Sequence, residues 1–95
     1  AVVGLMRVAS IEAAPRKIRV NTIHPGPVQG DMMRGLETGM APANPDAAHD
    51  LILQRMRLGR YIETKEIADL VTFLASDESR MITGATMVID AGMAG

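Results

Sequence analysis

Residues 21–31 read NTIHPGPVQGD and hold the sharpest change of pattern in the chain. The β-branched run at residues 18–23 (IRVNTI) predicts a β-strand. After His24 it meets a glycine held between two prolines, residues 25–27 (PGP). A residue before a proline is biased toward extended geometry, so the strand can continue up to this loop. The sequence therefore predicts a strand that ends in a stiff, shaped loop.

Length and composition limit the kinds of protein this can be. The 95 residues are 47% hydrophobic with a formal net charge of −1, which predicts one small, soluble globular unit. The lack of cysteine excludes a disulfide framework and fits a reducing compartment, so we expect a cytoplasmic protein. One Tyr, one Phe and no Trp argue against a nucleic-acid surface, and no apolar run approaches the ~20 residues that cross a bilayer. We expect a small-molecule ligand, with neither nucleic acid nor membrane as partner.

Two stretches before residue 60 have helical patterns. Residues 1–14 are rich in helix formers and stop at Pro15, and their apolar surface is far wider than the ~100° stripe of a helix with one face in water. A neighbouring helix or sheet is expected to cover that surface. The stretch that begins at residue 29 is predicted to be irregular at first and then helical over about residues 45–56, with Asn44 as the N-cap.

The last helix and a second strand form the clearest pattern. Thr64 is placed to cap a helix whose apolar residues recur at i, i+3, i+4, i+7 and i+8. These residues are Ile67, Leu70, Val71, Leu74 and Ala75. A turn at residues 79–84 leads to a second predicted strand at residues 85–90 (ATMVID).

Two strands so far apart along the chain indicate a particular kind of fold. They are most simply joined as a parallel pair through a crossover that contains helices. Parallel strands occur in larger sheets covered by helices on both faces, and two strands alone are at best marginal in water. The chain is therefore expected to be the end of a larger α/β domain. In such sheets the ligand binds beyond the carboxyl ends of the strands, where the loop at residues 25–27 lies.

Three motifs, in this order and with these spacings, resemble the C-terminal part of a short-chain dehydrogenase/reductase. They are RVNTIHPGPV at residues 19–28, LGRYIETKEIADLVTFLASDES at residues 58–79 and ITGATMVIDAG at residues 82–92. The resemblance covers essentially the whole chain and implies an α/β fold, the C-terminal portion of a Rossmann-like doubly wound parallel sheet. It also implies that residues 1–95 belong to one such domain, in which residues 29–60 form a substrate lid.

The resemblance assigns the loop to a nicotinamide cofactor, NAD or NADP. In that family the loop closes over the nicotinamide, so Pro25, Gly26 and Pro27 are expected to shape the wall beside the ring. Val28 is expected to offer its backbone N–H and C=O groups to the carboxamide. Prolines fix the backbone before the ligand binds, and glycine lets it come close to a flat ring. Without the surrounding motifs, the same loop would be interpreted as a strand terminator.

One position departs from the family's usual pattern. Gly30, two residues after Val28, stands where a threonine usually bonds the cofactor. Three alternatives follow: binding rests on backbone groups, binding is weaker, or the loop has a different shape. Beyond it, Met32 and Met33 are candidate substrate contacts from the mobile lid, and a role as core or lid filler is equally open.

None of the family's catalytic residues is present. The resemblance places the glycine-rich phosphate loop, the catalytic serine and the Tyr-x-x-x-Lys pair before Ala1, and the only tyrosine, Tyr61, lies in a turn far along the chain. Because general acid chemistry needs a proton donor held against the substrate, the 95 residues alone are expected to be inactive. The parent protein is expected to transfer a hydride between its cofactor and a small alcohol or carbonyl substrate, and this chain is expected to be its fragment.

Other polar residues have simpler interpretations. His24 and His49 have no third ligand at metal spacing, so no metal site is predicted, and His24 is expected at a strand end near the cofactor loop. Four carboxylates are expected to be solvated or to cap helices. They are Asp31, Glu37, Asp46 and Asp50.

The broad apolar surface of residues 1–14 also predicts assembly. In the family the equivalent helix packs against its symmetry mate, so the resemblance implies a homo-oligomer, a tetramer or dimer. Packing against the rest of its own domain would cover the same surface. The alternative function is a non-catalytic oligomerisation or interaction module derived from the same fold, which would associate through this helix and an open sheet edge.

Overall fold

The computed structural model describes residues 1–94, which form four α-helices and two β-strands. In chain order the elements are α1 (Val2–Ala13), β1 (Thr22–Pro25), α2 (Asp31–Met40), α3 (Pro45–Arg55), α4 (Thr64–Ala75) and β2 (Thr86–Ile89). Short 3-10 turns follow α1 at Ala14–Arg16 and α4 at Asp77–Ser79. None of the helices in the described chain is long and apolar enough to cross a membrane.

The two strands pair in parallel, as the sequence predicts. The N–H of Thr22 donates to the carbonyl of Ala85 at 3.0 Å, and the N–H of Gly26 donates to the carbonyl of Ile89 at 2.9 Å. From Thr22 to Gly26 the acceptor changes from Ala85 to Ile89. Both strands therefore advance by the same number of residues in the same direction, which is the pattern of a parallel pair. Helices α2, α3 and α4 lie in the connection between the strands, so the crossover is confirmed.

The start of the first strand was predicted too early. Residues 18–21 precede β1, because side chains replace the ladder hydrogen bonds there. The N–H of Val20 donates to Oγ1 of Thr83 at 3.1 Å, and the N–H of Ala85 donates to Oδ1 of Asn21 at 2.9 Å. Side-chain oxygens of Asn and Thr compete with backbone carbonyls in this way. The second strand lies inside its predicted range.

The chain divides into two compact units, of which the first contains residues 1–24 and 68–88. In this unit the guanidinium of Arg19 caps the end of α4. It donates to the carbonyls of Leu74 at 2.8 Å, Ser76 at 3.3 Å and Ile82 at 3.2 Å, and to Oγ of Ser79 at 3.1 Å. A cation at a helix C-terminus satisfies carbonyls that have no partner within the helix. Two of the motif residues, Arg19 and Ser79, therefore have a structural role.

Helix α1 leaves most of its apolar surface uncovered within residues 1–94. Met6 and Ser10 are its buried residues, whereas Leu5 and Ile11 are 73% and 74% exposed. Val2 and Val8 on the same helix are also exposed. The wide apolar surface predicted from the sequence is therefore present, and it lies open in this chain.

The second unit contains residues 25–67 and 89–94, and it holds an apolar cluster. Its buried centre is formed by Ile52, Met56, Tyr61 and Ile62. Partly buried residues pack around this centre: Val28, Met33, Leu53, Ile67, Ile89 and Ala91. The cluster joins α3, the loop after β1 and the segment before α4.

Two helix predictions need correction, and the predicted N-cap position of α3 is confirmed. The stretch after residue 29 was predicted to be irregular at first, but Asp31–Met40 is helical; Gly35 and Gly39 hide this helix because each lowers helix propensity by about 1 kcal/mol. Asn44 occupies the N-cap of α3 but makes no side-chain cap bond. Thr64 is the first residue of α4 rather than its cap. A capping-box bond is made one residue earlier, where Oε1 of Glu66 accepts from the N–H of Glu63 at 2.9 Å.

Replacing Arg19 by methionine is expected to destabilise the protein that contains this chain. Methionine keeps an unbranched apolar stem but removes the guanidinium donors to the end of α4, so we expect a loss of about 2 kcal/mol in the free energy of unfolding. Urea denaturation measures it, with the exposed Arg16→Met as the matched control. An equal loss in both variants would show that Arg19 contributes only as a surface residue.

Candidate functional site

The loop after β1 is pressed against the end of β2. A Cβ atom added to Gly26 would lie 2.8 Å from Cβ of Asp90 and 2.9 Å from its Cα, distances that side chains do not tolerate. The carboxylate of Asp90 in turn accepts the N–H groups of Gly92 and Ala94, both at 2.9 Å. The glycine of the Pro-Gly-Pro loop is therefore required by contacts within the protein, whatever it contacts in a ligand.

The backbone on either side of Val28 is held by Ile62. The N–H of Ile62 donates to the carbonyl of Pro27 at 3.0 Å, and the N–H of Gln29 donates to the carbonyl of Ile62 at 2.7 Å. These two bonds form a parallel bridge between Val28 and Ile62. In such a bridge the N–H and C=O of the central residue point the other way. Within residues 1–94 neither group of Val28 has a partner, so a rigid donor and acceptor stand side by side.

Gly30 has a backbone conformation that is nearly restricted to glycine. Its φ of 153° and ψ of −177° lie in a region that a Cβ atom excludes. Gly30 also occupies the N-cap position of α2. A threonine here would be strained, and the three alternatives for this departure from the family's pattern stay predictions.

The two methionines predicted to contact the substrate take different positions at the start of α2. Met32 is 90% exposed, whereas Met33 is partly buried and packs against the apolar cluster. Met33 also lines a cleft of about 340 Å³ together with Gly30. Among the residues assigned from the sequence, the structure thus brings Met33 to the cleft and leaves Met32 facing away from the cluster.

Glu37 of α2 is buried, with only 2% of its surface exposed. Its Oε2 accepts a hydrogen bond from the hydroxyl of Tyr61 at 2.5 Å and contacts Nδ1 of His49 at 2.7 Å. Its Oε1 lies 3.4 Å from Nη1 of Arg34. The expectation that Glu37 is solvated or caps a helix was therefore wrong. The physical reason is that α2, which the sequence analysis missed, turns this side chain inward.

The hydrogen bond from Tyr61 favours the ionised form of Glu37. It is the largest effect that lowers the pKa of Glu37, with further lowering by His49 and Arg34 and an opposing effect of burial. The pKa of Tyr61 is raised, first by burial and then by its bond to Glu37. Because the folded pKa of Glu37 is depressed, its contribution to stability is complete above the ordinary value near 4.3 and is lost as the pH falls through the folded value.

The cleft beside this cluster is mostly polar. It is lined by Gly30 and Met33 at the start of α2 and by Glu37, His49 and Tyr61. The rings of His49 and Tyr61 also contact each other, with centroids 4.6 Å apart. Sequence reasoning missed Tyr61 and Glu37 as a pair. No local signal links the two residues, since Glu37 lies 24 positions before Tyr61.

The remaining polar residues are placed more simply. The carboxylates of Asp31, Asp46 and Asp50 are exposed, as expected, and Asp46 accepts a bond from Arg34 at 3.0 Å. His24 belongs to β1, and its Nε2 lies 2.9 Å from Oγ1 of Thr22. In the described part of the chain no three His, Cys, Asp or Glu residues cluster as metal ligands would.

Comparison with known proteins identifies the family. A family model described as enoyl-(acyl carrier protein) reductase matches residues 1–94. The chain is 42% identical over 89 residues to trans-4-hydroxycyclohexanecarboxylate dehydrogenase of Sinomonas cyclohexanicum, covering 94% of this chain and 29% of that relative. This chain belongs to the short-chain dehydrogenase/reductase family.

Solved structures confirm the fold. A short-chain dehydrogenase family protein from Francisella tularensis superposes with a TM-score of 0.90 and 33% identity, covering 98% of this chain and 40% of that chain. A 4-hydroxyisoleucine dehydrogenase complexed with NADH superposes with a TM-score of 0.82 and 30% identity, covering 99% of this chain and 37% of that chain. The chain therefore has part of a Rossmann-like fold, and it spans well under half the length of these proteins.

Adding a methyl group at Gly26 is expected to destabilise the protein. The Gly26→Ala variant places a Cβ against the backbone of Asp90, so the end of β2 must shift, at a cost of about 1–3 kcal/mol in the free energy of unfolding. Gly35→Ala is the control, because its added Cβ meets nothing within 4 Å and it lies inside a helix. Equal stability of the Gly26→Ala variant and the unsubstituted protein, measured by thermal denaturation, would contradict this packing.

Restoring the family's usual threonine at position 30 is expected to fail. Both Gly30→Thr and Gly30→Ala should lose about 1–3 kcal/mol of unfolding free energy, since the cost arises from Cβ and not from the hydroxyl. Chemical denaturation measures the unfolding free energy, and a titration with NADH measures the affinity for the cofactor. A threonine variant that is as stable as the unsubstituted protein and binds NADH more tightly would contradict the backbone explanation.

Proposed function

We propose that this chain forms the nicotinamide side of an NAD(P)-dependent oxidoreductase, which transfers a hydride between the cofactor and a small alcohol or carbonyl substrate. Membership of the family and the likeness to an NADH-bound dehydrogenase support this proposal. When bound, the cofactor supplies or accepts the hydride. Pro25, Gly26 and Pro27 would form the wall beside the nicotinamide ring.

The unpaired backbone groups of Val28 are the single observation that carries the proposal. A nicotinamide carboxamide has one carbonyl acceptor and one NH₂ donor, which complement one N–H and one C=O. The bonds from Pro27 and Gln29 to Ile62 hold both groups in place before any ligand arrives. Binding would therefore lose little conformational entropy at this loop. Because these contacts use backbone atoms, they do not require the threonine that Gly30 replaces.

The proton-transfer groups belong to the proposed parent protein and not to this chain. In the proposal the parent carries the glycine-rich phosphate loop, the catalytic serine and the Tyr-x-x-x-Lys pair, and the 95 residues alone are inactive. Tyr61 takes no part in the chemistry, since its hydroxyl donates to Glu37. We propose residues 29–60 as the substrate lid within one domain, with Met33 and Met32 as its candidate contacts.

The open surface of α1 supports a place for this helix in an interface. Leu5 and Ile11 are more than two-thirds exposed in this chain, and such apolar surface needs a cover. A homo-oligomer, a tetramer or dimer, is part of the proposal. A cytoplasmic location stays a prediction from the cysteine-free sequence.

Replacing Val28 by proline is expected to weaken cofactor binding. Proline removes the N–H of residue 28 but keeps the two bonds to Ile62, which use groups of Pro27 and Gln29. Loss of one hydrogen bond should raise the Kd for NADH or NADPH roughly three- to tenfold. Fluorescence titration of the protein that contains this chain measures it.

Val28→Ala is the matched control for this substitution. It removes the side chain that packs on the apolar cluster but keeps the N–H, so its Kd should stay close to that of the unsubstituted protein. Equal Kd values for all three proteins would contradict the role of Val28. A complete protein that binds neither cofactor would instead favour the non-catalytic module.

A further inference from the structure

Helix α2 packs against α3, and its inner face is anchored by few side chains. Glu37 is its only buried residue, and Met33 is the only other residue of the helix that packs against the apolar cluster within residues 1–94. The remaining large apolar residues of α2 point outward. Met32 is 90% exposed, Met40 55% and Leu36 52%. Besides the packing against α3, one methionine and one carboxylate therefore hold the inner face of α2.

Helix α2 has a glycine at its N-cap and two more inside it. Gly30 precedes the helix in a conformation that only glycine adopts easily, and an added Cβ there would meet nothing within 4 Å. Gly35 and Gly39 inside the helix also have open space around their Cα atoms. A helix with a glycine at its entry and two more along its length is held by its side-chain anchors more than by its own stiffness.

The hydrogen-bond partner of Glu37 is the neighbour of the residue that holds the loop at residues 25–28. Its Oε2 accepts the hydroxyl of Tyr61, and the next residue, Ile62, bonds both the carbonyl of Pro27 and the N–H of Gln29. Tyr61 is 5% exposed and packs inside the apolar cluster, so its ring keeps a fixed position. Residues 61–62 thus hold α2 through the side chain of Tyr61 and the loop at residues 25–28 through the backbone of Ile62.

The same carboxylate of Glu37 also contacts α3. Oε2 of Glu37 lies 2.7 Å from Nδ1 of His49, and the ring of His49 contacts the ring of Tyr61. On the outer side Arg34 bridges Glu37 and the exposed Asp46. Breaking a buried charge from its partners is strongly destabilising locally, because the group left behind stays unsatisfied.

We infer that Glu37 is a positioning residue that sets the substrate lid relative to the cofactor loop, with Tyr61 as the shared attachment. This inference rests on the proposed function, since it takes α2 as the lid and residues 25–28 as the cofactor loop. In this role Glu37 acts through its bond to Tyr61 and needs no contact with substrate or cofactor. Through this attachment, a cofactor that binds the loop, whose backbone the bridge to Ile62 already holds, also stabilises the position of α2.

Hydrogen–deuterium exchange of the complete protein, with and without NADH, tests the inference. Both variants keep the size of the side chain: Tyr61→Phe removes the donor hydroxyl, and Glu37→Gln replaces the charged acceptor by a neutral amide that accepts a weaker bond. In both variants we expect amide exchange in residues 31–40 to rise roughly tenfold, while peptides from α1 are unchanged. NADH should slow exchange in residues 31–40 of the unsubstituted protein, and both variants should lose this effect.

Asp50→Asn is the matched control, because it removes an exposed carboxylate on α3 next to His49. It should behave as the unsubstituted protein does. Unchanged exchange of residues 31–40 in Glu37→Gln and Tyr61→Phe would overturn the inference. An equal rise in all peptides would also overturn it, since that result describes general loss of stability.

Kinetics provide a second readout. With trans-4-hydroxycyclohexanecarboxylate as the probe alcohol, both variants should raise KM about fivefold or more with less than a twofold change in kcat. A fall in kcat at constant KM would contradict a positioning role. If NADH does not bind the complete protein at all, the proposed function fails, whereas exchange of residues 31–40 without cofactor still decides whether Glu37 anchors the helix.

Discussion

The parallel bridge between Val28 and Ile62 fixes the loop after β1, and the geometry of the site depends on it. Two backbone bonds, through Pro27 and Gln29, hold the loop on one side and leave the groups of Val28 unpaired on the other. A free loop would lose entropy of ~1–2 kcal/mol per residue when a ligand ordered it. Here the protein has already ordered the backbone, so hydrogen bonds at Val28 can contribute to binding almost in full.

The carboxylate of Glu37 is buried beside this bridge, although burying a charge is costly. An apolar side chain at position 37 would pack against the same cluster without the desolvation cost of a charge. Three donors offset that cost: the hydroxyl of Tyr61, the ring of His49 and the guanidinium of Arg34. Directional hydrogen bonds specify one position for α2, whereas an apolar contact would allow several positions. The arrangement suits a helix that has to be placed accurately and yet carries glycines along its length.

The sequence predicted what depends on local pattern and missed what depends on distant partners. Helices α1, α3 and α4 and strand β2 follow from periodicity and prolines, and the family follows from the order of three motifs. Strand β1 began later than predicted because Asn21 offers its side chain to Ala85, a residue far along the chain. The Glu37–Tyr61 pair was missed because two glycines hid helix α2. No local pattern links an acid to a tyrosine so far away.

The central claim is that the unpaired groups of Val28 receive the nicotinamide carboxamide. A crystal structure of the complete protein with bound NADH tests it most directly. We predict that the carboxamide oxygen and nitrogen lie within about 2.7–3.2 Å of the backbone nitrogen and oxygen of Val28, with the bridge to Ile62 intact. A nicotinamide ring bound elsewhere, with the groups of Val28 paired to protein, would contradict the account.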